Sequence, residues 1–202
     1  MSEIAYDPQT ALVVVDVQND FAVEDGSLYV RGGEEVVHRI NDEIARAREA
    51  GAFVVYTADW HPETTPHFEK DGGIWPVHCV GDTWGSSFHP ALEVVGPIVR
   101  KGVEGHDGYS GFSTRHPSTD ETKPTELAQL LRDAGVSRII VVGLATDYCV
   151  KSTALDGLEH GFEVLVRTDL IAAVELAPGD GERALAEIVA AGGVLVPDPS
   201  AS

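Results

Sequence analysis

Val141-Val142-Gly143-Leu144-Ala145-Thr146-Asp147-Tyr148-Cys149-Val150 reads as a buried strand closed by a glycine, a tight turn, and a cysteine at the start of a helix. The β-branched run from Ile139 to Val142 supplies the strand. Thr146 and Asp147 favour helix starts, and Lys151-Ser152-Thr153-Ala154-Leu155 continues the helix. A thiol placed there faces unpaired backbone N–H groups and the positive end of the helix dipole, and both favour thiolate. The competing reading of Cys149 is a small buried hydrophobe.

The same punctuation recurs on either side. Ala11-Leu12-Val13-Val14-Val15 is a continuous apolar run, as in a parallel strand covered on both faces, and it ends in Asp16. Glu34 to Ala50 has apolar residues near helical spacing and is stopped by Gly51. Ala52 to Thr57 is a second strand, and Leu28-Tyr29-Val30 reads as a short β excursion. Ile98-Val99-Arg100 is a short strand leading into Lys101-Gly102, followed by a Gly-rich polar loop through Phe112. Helices are expected over Glu126 to Ala134, Cys149 to His160 and Asp180 to Ala191, with strands at Arg138 to Val142, Phe162 to Val166 and Val194 to Val196. Strands alternating with helices predict a parallel sheet with helices on both faces, in one domain over residues 1–202.

Totals narrow the partners. A formal net charge of −19 argues against nucleic acid and anionic membranes. No apolar run has the length of a membrane span, and Met1-Ser2-Glu3-Ile4 lacks the features of a signal peptide, so a cytoplasmic protein is expected. Cys79 and Cys149, the two cysteines, do not make a disulfide framework.

Asp16, Lys101 and Cys149 each stand at the end of a strand, where doubly wound sheets place their sites. An acid, an amine and a thiol form a workable nucleophilic set: Asp16 takes the thiol proton while Lys101 holds the carboxylate and favours the anionic thiol. The alternative for Lys101 is a solvated strand-end charge. A second constellation comprises Asp59, His61, His67 and His78 in the long segment from Ala58 to Pro97. One carboxylate and up to three imidazoles suit one divalent transition metal such as Zn, Fe or Mn, with positions left for water or ligand.

These residues carry a resemblance. Val15-Asp16-Val17-Gln18-Asn19-Asp20-Phe21, Asp59-Trp60-His61-Pro62, Trp75-Pro76-Val77-His78-Cys79, Lys101-Gly102 with Asp107-Gly108-Tyr109-Ser110-Gly111-Phe112, and Gly143 to Val150 resemble the nicotinamidase/pyrazinamidase branch of the isochorismatase-like cysteine hydrolases. The resemblance implies a three-layer αβα fold with a central, mostly parallel sheet of about six strands. It implies hydrolysis of nicotinamide, and also pyrazinamide, through a thioester, in NAD salvage. It makes Cys149 the nucleophile, Asp16 the general base and later acid, and Lys101 the residue that orients that pair. Asp59, His61 and His67 would bind the metal, with His78 a ligand in some members. A cis peptide before Ala145 and the N–H groups of Ala145 and Cys149 would form an oxyanion hole. Phe21, Trp75 and Tyr109 match aromatic walls around the pyridine ring.

Tyr148 stands where many nicotinamidases have His, which bears on substrate range, and Cys79 reads as packing. The competing functions are an amidase for another small amide or ureido compound, and a silent binding module that keeps the fold. Homo-oligomerisation is left open.

Overall fold

The computed structural model describes residues 5–197; the Met1–Ile4 stretch lies outside them. The first strand, β1 (Thr10–Val15), is buried along its whole length, as its unbroken apolar sequence requires. A short helix α1 (Asn19–Ala22) and the long helix α2 (Gly33–Glu49) precede β2 (Phe53–Asp59). The chain then runs through a long loop to β3 (Ile98–Lys101), a hairpin of β4 (Ser113–Arg115) and β5 (Thr122–Pro124), and helix α3 (Leu127–Asp133). β6 (Arg138–Leu144) leads through a five-residue π-helical turn (Thr146–Val150) into α4 (Lys151–Glu159). β7 (Glu163–Ala172), α5 (Asp180–Ala190) and β8 (Val194–Val196) complete the fold.

The six-stranded sheet has the order β3-β2-β1-β6-β7-β8, parallel throughout. Period-two alternation divides the two layers of core. Leu12, Val14, Tyr56, Ile140 and Val142 pack with Val37, Ile40 and Ile44 of α2. Val13, Val15, Val55, Ile139 and Val141 pack on the opposite side with Leu127 and Leu131 of α3, Ala154 of α4 and Ile188 of α5. This is the expected three-layer arrangement.

Several local expectations change. Leu28–Val30 is loop, not strand, and the Ser113–Arg115/Thr122–Pro124 hairpin was not foreseen. β7 runs six residues past its expected end at Val166, to Ala172, because Arg167 and Asp169 find buried partners: Arg167 contacts Glu43 at 2.7 Å and Asp169 at 2.9 Å. Among the described residues no helix is long and apolar enough to cross a membrane.

The site follows from strand order. The chain moves outward from β1 to β3 and returns across β1 to β6, so direction reverses between β1 and β6. A crevice opens at such a switch point, beyond the carboxyl ends of the strands. Val15 pairs with Thr57 on one side and Gly143 on the other, and Asp59 pairs with Lys101. The register therefore brings Asp16, Asp59, Lys101 and the residues after Gly143 to one edge.

Candidate active site

Asp16 leaves β1 with a left-handed backbone (φ 48°), a conformation that Asp tolerates better than most residues. Its fully buried carboxylate accepts a hydrogen bond from Thr57 Oγ1 at 2.6 Å and lies 2.7 Å from Lys101 Nζ. Lys101, also fully buried, donates to Asp59 Oδ1 at 2.5 Å and to the carbonyl of Gly108, and reaches to 3.6 Å from Cys149 Sγ. Asp16, Asp59 and Cys149 can converge as a metal-like triad, with one oxygen or sulfur from each within 4.8 Å of the others. The Lys101 ammonium contacts all three and supplies the cation there.

Burial disfavours charge at each of these groups, and the outcome depends on its neighbours. Burial raises the Asp16 carboxyl to about 6 despite Lys101. Burial works against ionisation of Asp59 too, but Lys101 and His61 outweigh it and hold that carboxyl well below the usual range. Burial alone would depress Lys101; the two aspartates raise it well above the ordinary lysine value. For Cys149 burial wins over Lys101, and the thiol is pushed well up. This corrects the expectation of a resting thiolate. Cys149 lies inside the Thr146–Val150 turn, not in the open first turn of a helix, and it is buried, so little solvent supports the anion.

Gly143 has φ 109°, and a Cβ there would collide with the Val15 backbone of the neighbouring strand. The β6–β7 register shifts between Val141 and Gly143, and the Leu144–Ala145 peptide that follows is cis, as the resemblance implied. The Ala145 carbonyl then accepts from Tyr148 and Val150 N–H at 3.1 and 3.0 Å, which closes the turn that carries Cys149.

The three histidines gather beside this cluster. His61, His67 and His78 each offer a nitrogen within 4.8 Å of the others', and all are buried. His67 Nδ1–H donates to Asp107 Oδ1 at 2.6 Å and His78 Nδ1–H to the Pro76 carbonyl at 2.8 Å. Both Nε2 lone pairs are thereby left free. Neither nitrogen of His61 has a hydrogen-bond partner. Burial lowers His78 to about 4, so its imidazole is neutral. Asp59 Oδ2 lies 3.7 Å from His61 Nε2 and 3.8 Å from His78 Nε2. Buried imidazoles that each keep a lone pair without a hydrogen-bond partner, converging next to a carboxylate, fit a divalent metal. Gly102 makes room for this packing: its φ is +83°, and a Cβ would strike the His61 ring.

One cavity joins the two clusters. Cys149, Ala145, Asp59, His67 and His78 all line it, together with Phe21, Trp75, Tyr109, Leu144 and Val174. Trp75 Nε1–H donates to Tyr109 Oη at 2.8 Å, and Tyr148, also in the lining, meets Trp75 edge-on at 4.9 Å between ring centroids.

Sequence reasoning overlooked the residues that hold these groups. Gln18 clamps the end of β2: its Oε1 accepts from Asp59 N–H at 2.8 Å, and its Nε2 donates to the Asp59 carbonyl at 2.7 Å. Asp147 accepts from Val174 and Glu175 N–H, both at 2.9 Å, and so ties the loop bearing Val174 to the turn bearing Cys149. Both residues lie in motifs quoted above, which was the available signal. Cys79 is buried, with its thiol pushed well up by burial, and its N–H donates to Asp20 Oδ2 at 2.7 Å, which suits packing.

Residues 10–197 match the Isochorismatase domain. The chain is 35% identical to the nicotinamidase of Escherichia coli over 93% of this chain and 94% of that one. The crystal structure of the pyrazinamidase of Pyrococcus horikoshii in complex with zinc superposes with a TM-score of 0.84 at 41% identity, covering 95% of this chain and all of the other. That of PnC1 from L. infantum in complex with nicotinate gives 0.87 at 36% identity, covering 96% of each.

Proposed function

The chain belongs to the isochorismatase domain family, and from that membership we propose that it is a metal-containing nicotinamidase, a cysteine amidase releasing nicotinate and ammonia. The observation that carries this reading is the shared cavity: the Cys149 thiol and two imidazoles of the histidine cluster face one space walled by Phe21, Trp75 and Tyr109, with Lys101 and Asp16 buried behind the thiol. A planar aromatic amide suits such walls.

In this reading Cys149 Sγ attacks the amide carbon as its proton passes to Asp16. A carboxyl near 6 is a competent acceptor at neutral pH and a competent donor afterwards. The N–H groups of Ala145 and Cys149 stabilise the oxyanion, a role supported by the position of both residues in the cavity lining. As the C–N bond breaks, Asp16 returns its proton to the nitrogen and ammonia departs. Asp16 then takes a proton from water, whose oxygen attacks the thioester. Collapse releases the acid, which gives its proton to solvent to become nicotinate, and the thiolate recovers the proton from Asp16. Lys101 keeps its charge throughout and holds the carboxylate by its short contact.

Asp59, His61, His67 and His78 would hold one divalent ion, which when bound supplies a positive centre and an open position for the ring nitrogen or a water. The charge of −19 supports a small-molecule partner without nucleic acid or anionic membrane, and the family match supports one hydrolase domain.

The test is ammonia release from nicotinamide by purified protein supplied with zinc, manganese or iron. Turnover of another small amide or a ureido compound, with nicotinamide inert, would move the assignment to a different branch of the family. No release from any of them would leave a binding module.

A further inference from the structure

The three histidines that would hold the metal are oriented by different means. Among the described residues only His67 has its Nδ1 bonded to a carboxylate, that of Asp107, at 2.6 Å. The His78 Nδ1 bonds a neutral backbone carbonyl, and neither nitrogen of His61 bonds anything. Asp107 is buried, and its backbone is fixed independently of its side chain by two bonds to Arg115, N–H to carbonyl at 2.7 Å and the reverse at 3.1 Å. Its second oxygen lies 3.6 Å from the Arg115 guanidinium. The backbone N–H of His67 donates to Thr65 Oγ1 at 3.2 Å, which fixes the main chain that carries the ring.

From this geometry we infer that Asp107 is the positioning residue of the metal site: it holds the proton on His67 Nδ1 and turns the Nε2 lone pair toward His61 and His78. A carboxylate accepting from Nδ1–H fixes the tautomer and makes the opposite nitrogen a stronger donor to a metal. Asp107 lies in the loop between β3 and β4 and pairs with Arg115, so the β4–β5 hairpin helps to shape the metal site although none of its residues lines the substrate cavity.

The inference rests on the metal reading proposed above, and the test separates the two. Metal-free wild type and the Asp107→Asn variant are titrated with zinc against a chromophoric chelator, and their cobalt(II) absorption spectra are compared. Asn keeps the shape and the backbone bonds to Arg115 but lacks the charge. The expected result is zinc affinity weaker by about 10- to 100-fold, an altered cobalt spectrum, and a Tm of the metal-free protein unchanged from wild type. Equal affinity and equal spectra would overturn the role of Asp107 while leaving the metal site standing. Failure of the wild type to bind either ion would overturn both. Should the variant not fold, nitrogen-15 NMR of histidine in metal-free wild type decides: the proton of His67 belongs on Nδ1, and a proton on Nε2 instead overturns the inference.

Discussion

Lys101 Nζ stands 3.6 Å from Cys149 Sγ, yet the thiol is neutral at rest. An ammonium so close would ordinarily draw the proton off. Here its charge is shared with Asp16 at 2.7 Å and Asp59 at 2.5 Å, and the site is buried. Two carboxylates and desolvation together outweigh one cation. The sulfur therefore becomes an anion only as Asp16 accepts its proton, which couples nucleophile and base in a single event.

Cys149→Ala is expected to lower ammonia release from nicotinamide by on the order of 10^4-fold or more. The far-UV spectrum and metal content should match wild type, since the sulfur is not among the histidine ligands. Near-normal turnover would show that another group attacks.

Asp16 gives the reaction its acid limb. Its carboxyl is raised to about 6 and the working form is the ionised one, so activity is present above that value and lost as pH falls through it. On this basis kcat/KM at pH 5 should be about tenfold below its plateau, and Asp16→Asn should lose about 10^2- to 10^4-fold on the plateau and no longer show this limb. A flat profile between pH 5 and pH 8 would place the base elsewhere.

Removal of metal by a strong chelator should suppress hydrolysis, and a divalent ion should restore it. His61→Ala takes away the imidazole of the cluster whose two nitrogens both lack a hydrogen-bond partner. Elemental analysis should find its metal content well below one ion per chain. Full activity in metal-free protein would reduce the histidine cluster to packing.

Substrate selectivity should follow the ring nitrogen. The thiol and the histidine cluster line the same cavity, so a ring held at both points has one productive orientation. Nicotinamide and pyrazinamide carry a nitrogen meta to the amide-bearing carbon; benzamide carries none, and picolinamide and isonicotinamide aim theirs elsewhere. The expected kcat/KM for nicotinamide exceeds that for benzamide by about 100-fold, the worth of one oriented contact of a few kcal/mol. Equal values would remove the templating role and leave the cysteine chemistry intact.

Asp16 was legible because a strand covered on both faces must be apolar throughout, so the first polar residue after β1 marks the sheet edge; Lys101 and Cys149 were legible from their places at a strand end and in the turn after the β-branched run of β6. Asp59 and the histidines were legible from donor chemistry and spacing. The pairing of His67 with Asp107 was not, for it joins two loops 40 residues apart whose paths no periodicity encodes. The protonation of Cys149 was misjudged for a related reason. Dipole and capping arguments are local, whereas its desolvation comes from Lys101, Gly108 and the walls of the cavity. The length of β7 was missed because a buried ion pair makes strand residues look like loop.

The all-parallel strand order has a further consequence, for kinetics. Thr57 is 41 residues from the Asp16 it supports, and Lys101 is 48 from the sulfur it faces, so no stretch of local sequence assembles the Asp16, Lys101 and Cys149 set. Parallel pairing demands long crossovers whose closure entropy precedes any reward. During refolding from denaturant, helical signal should thus return well before the ability to release ammonia, and the interval between them times the docking of β6 against β1.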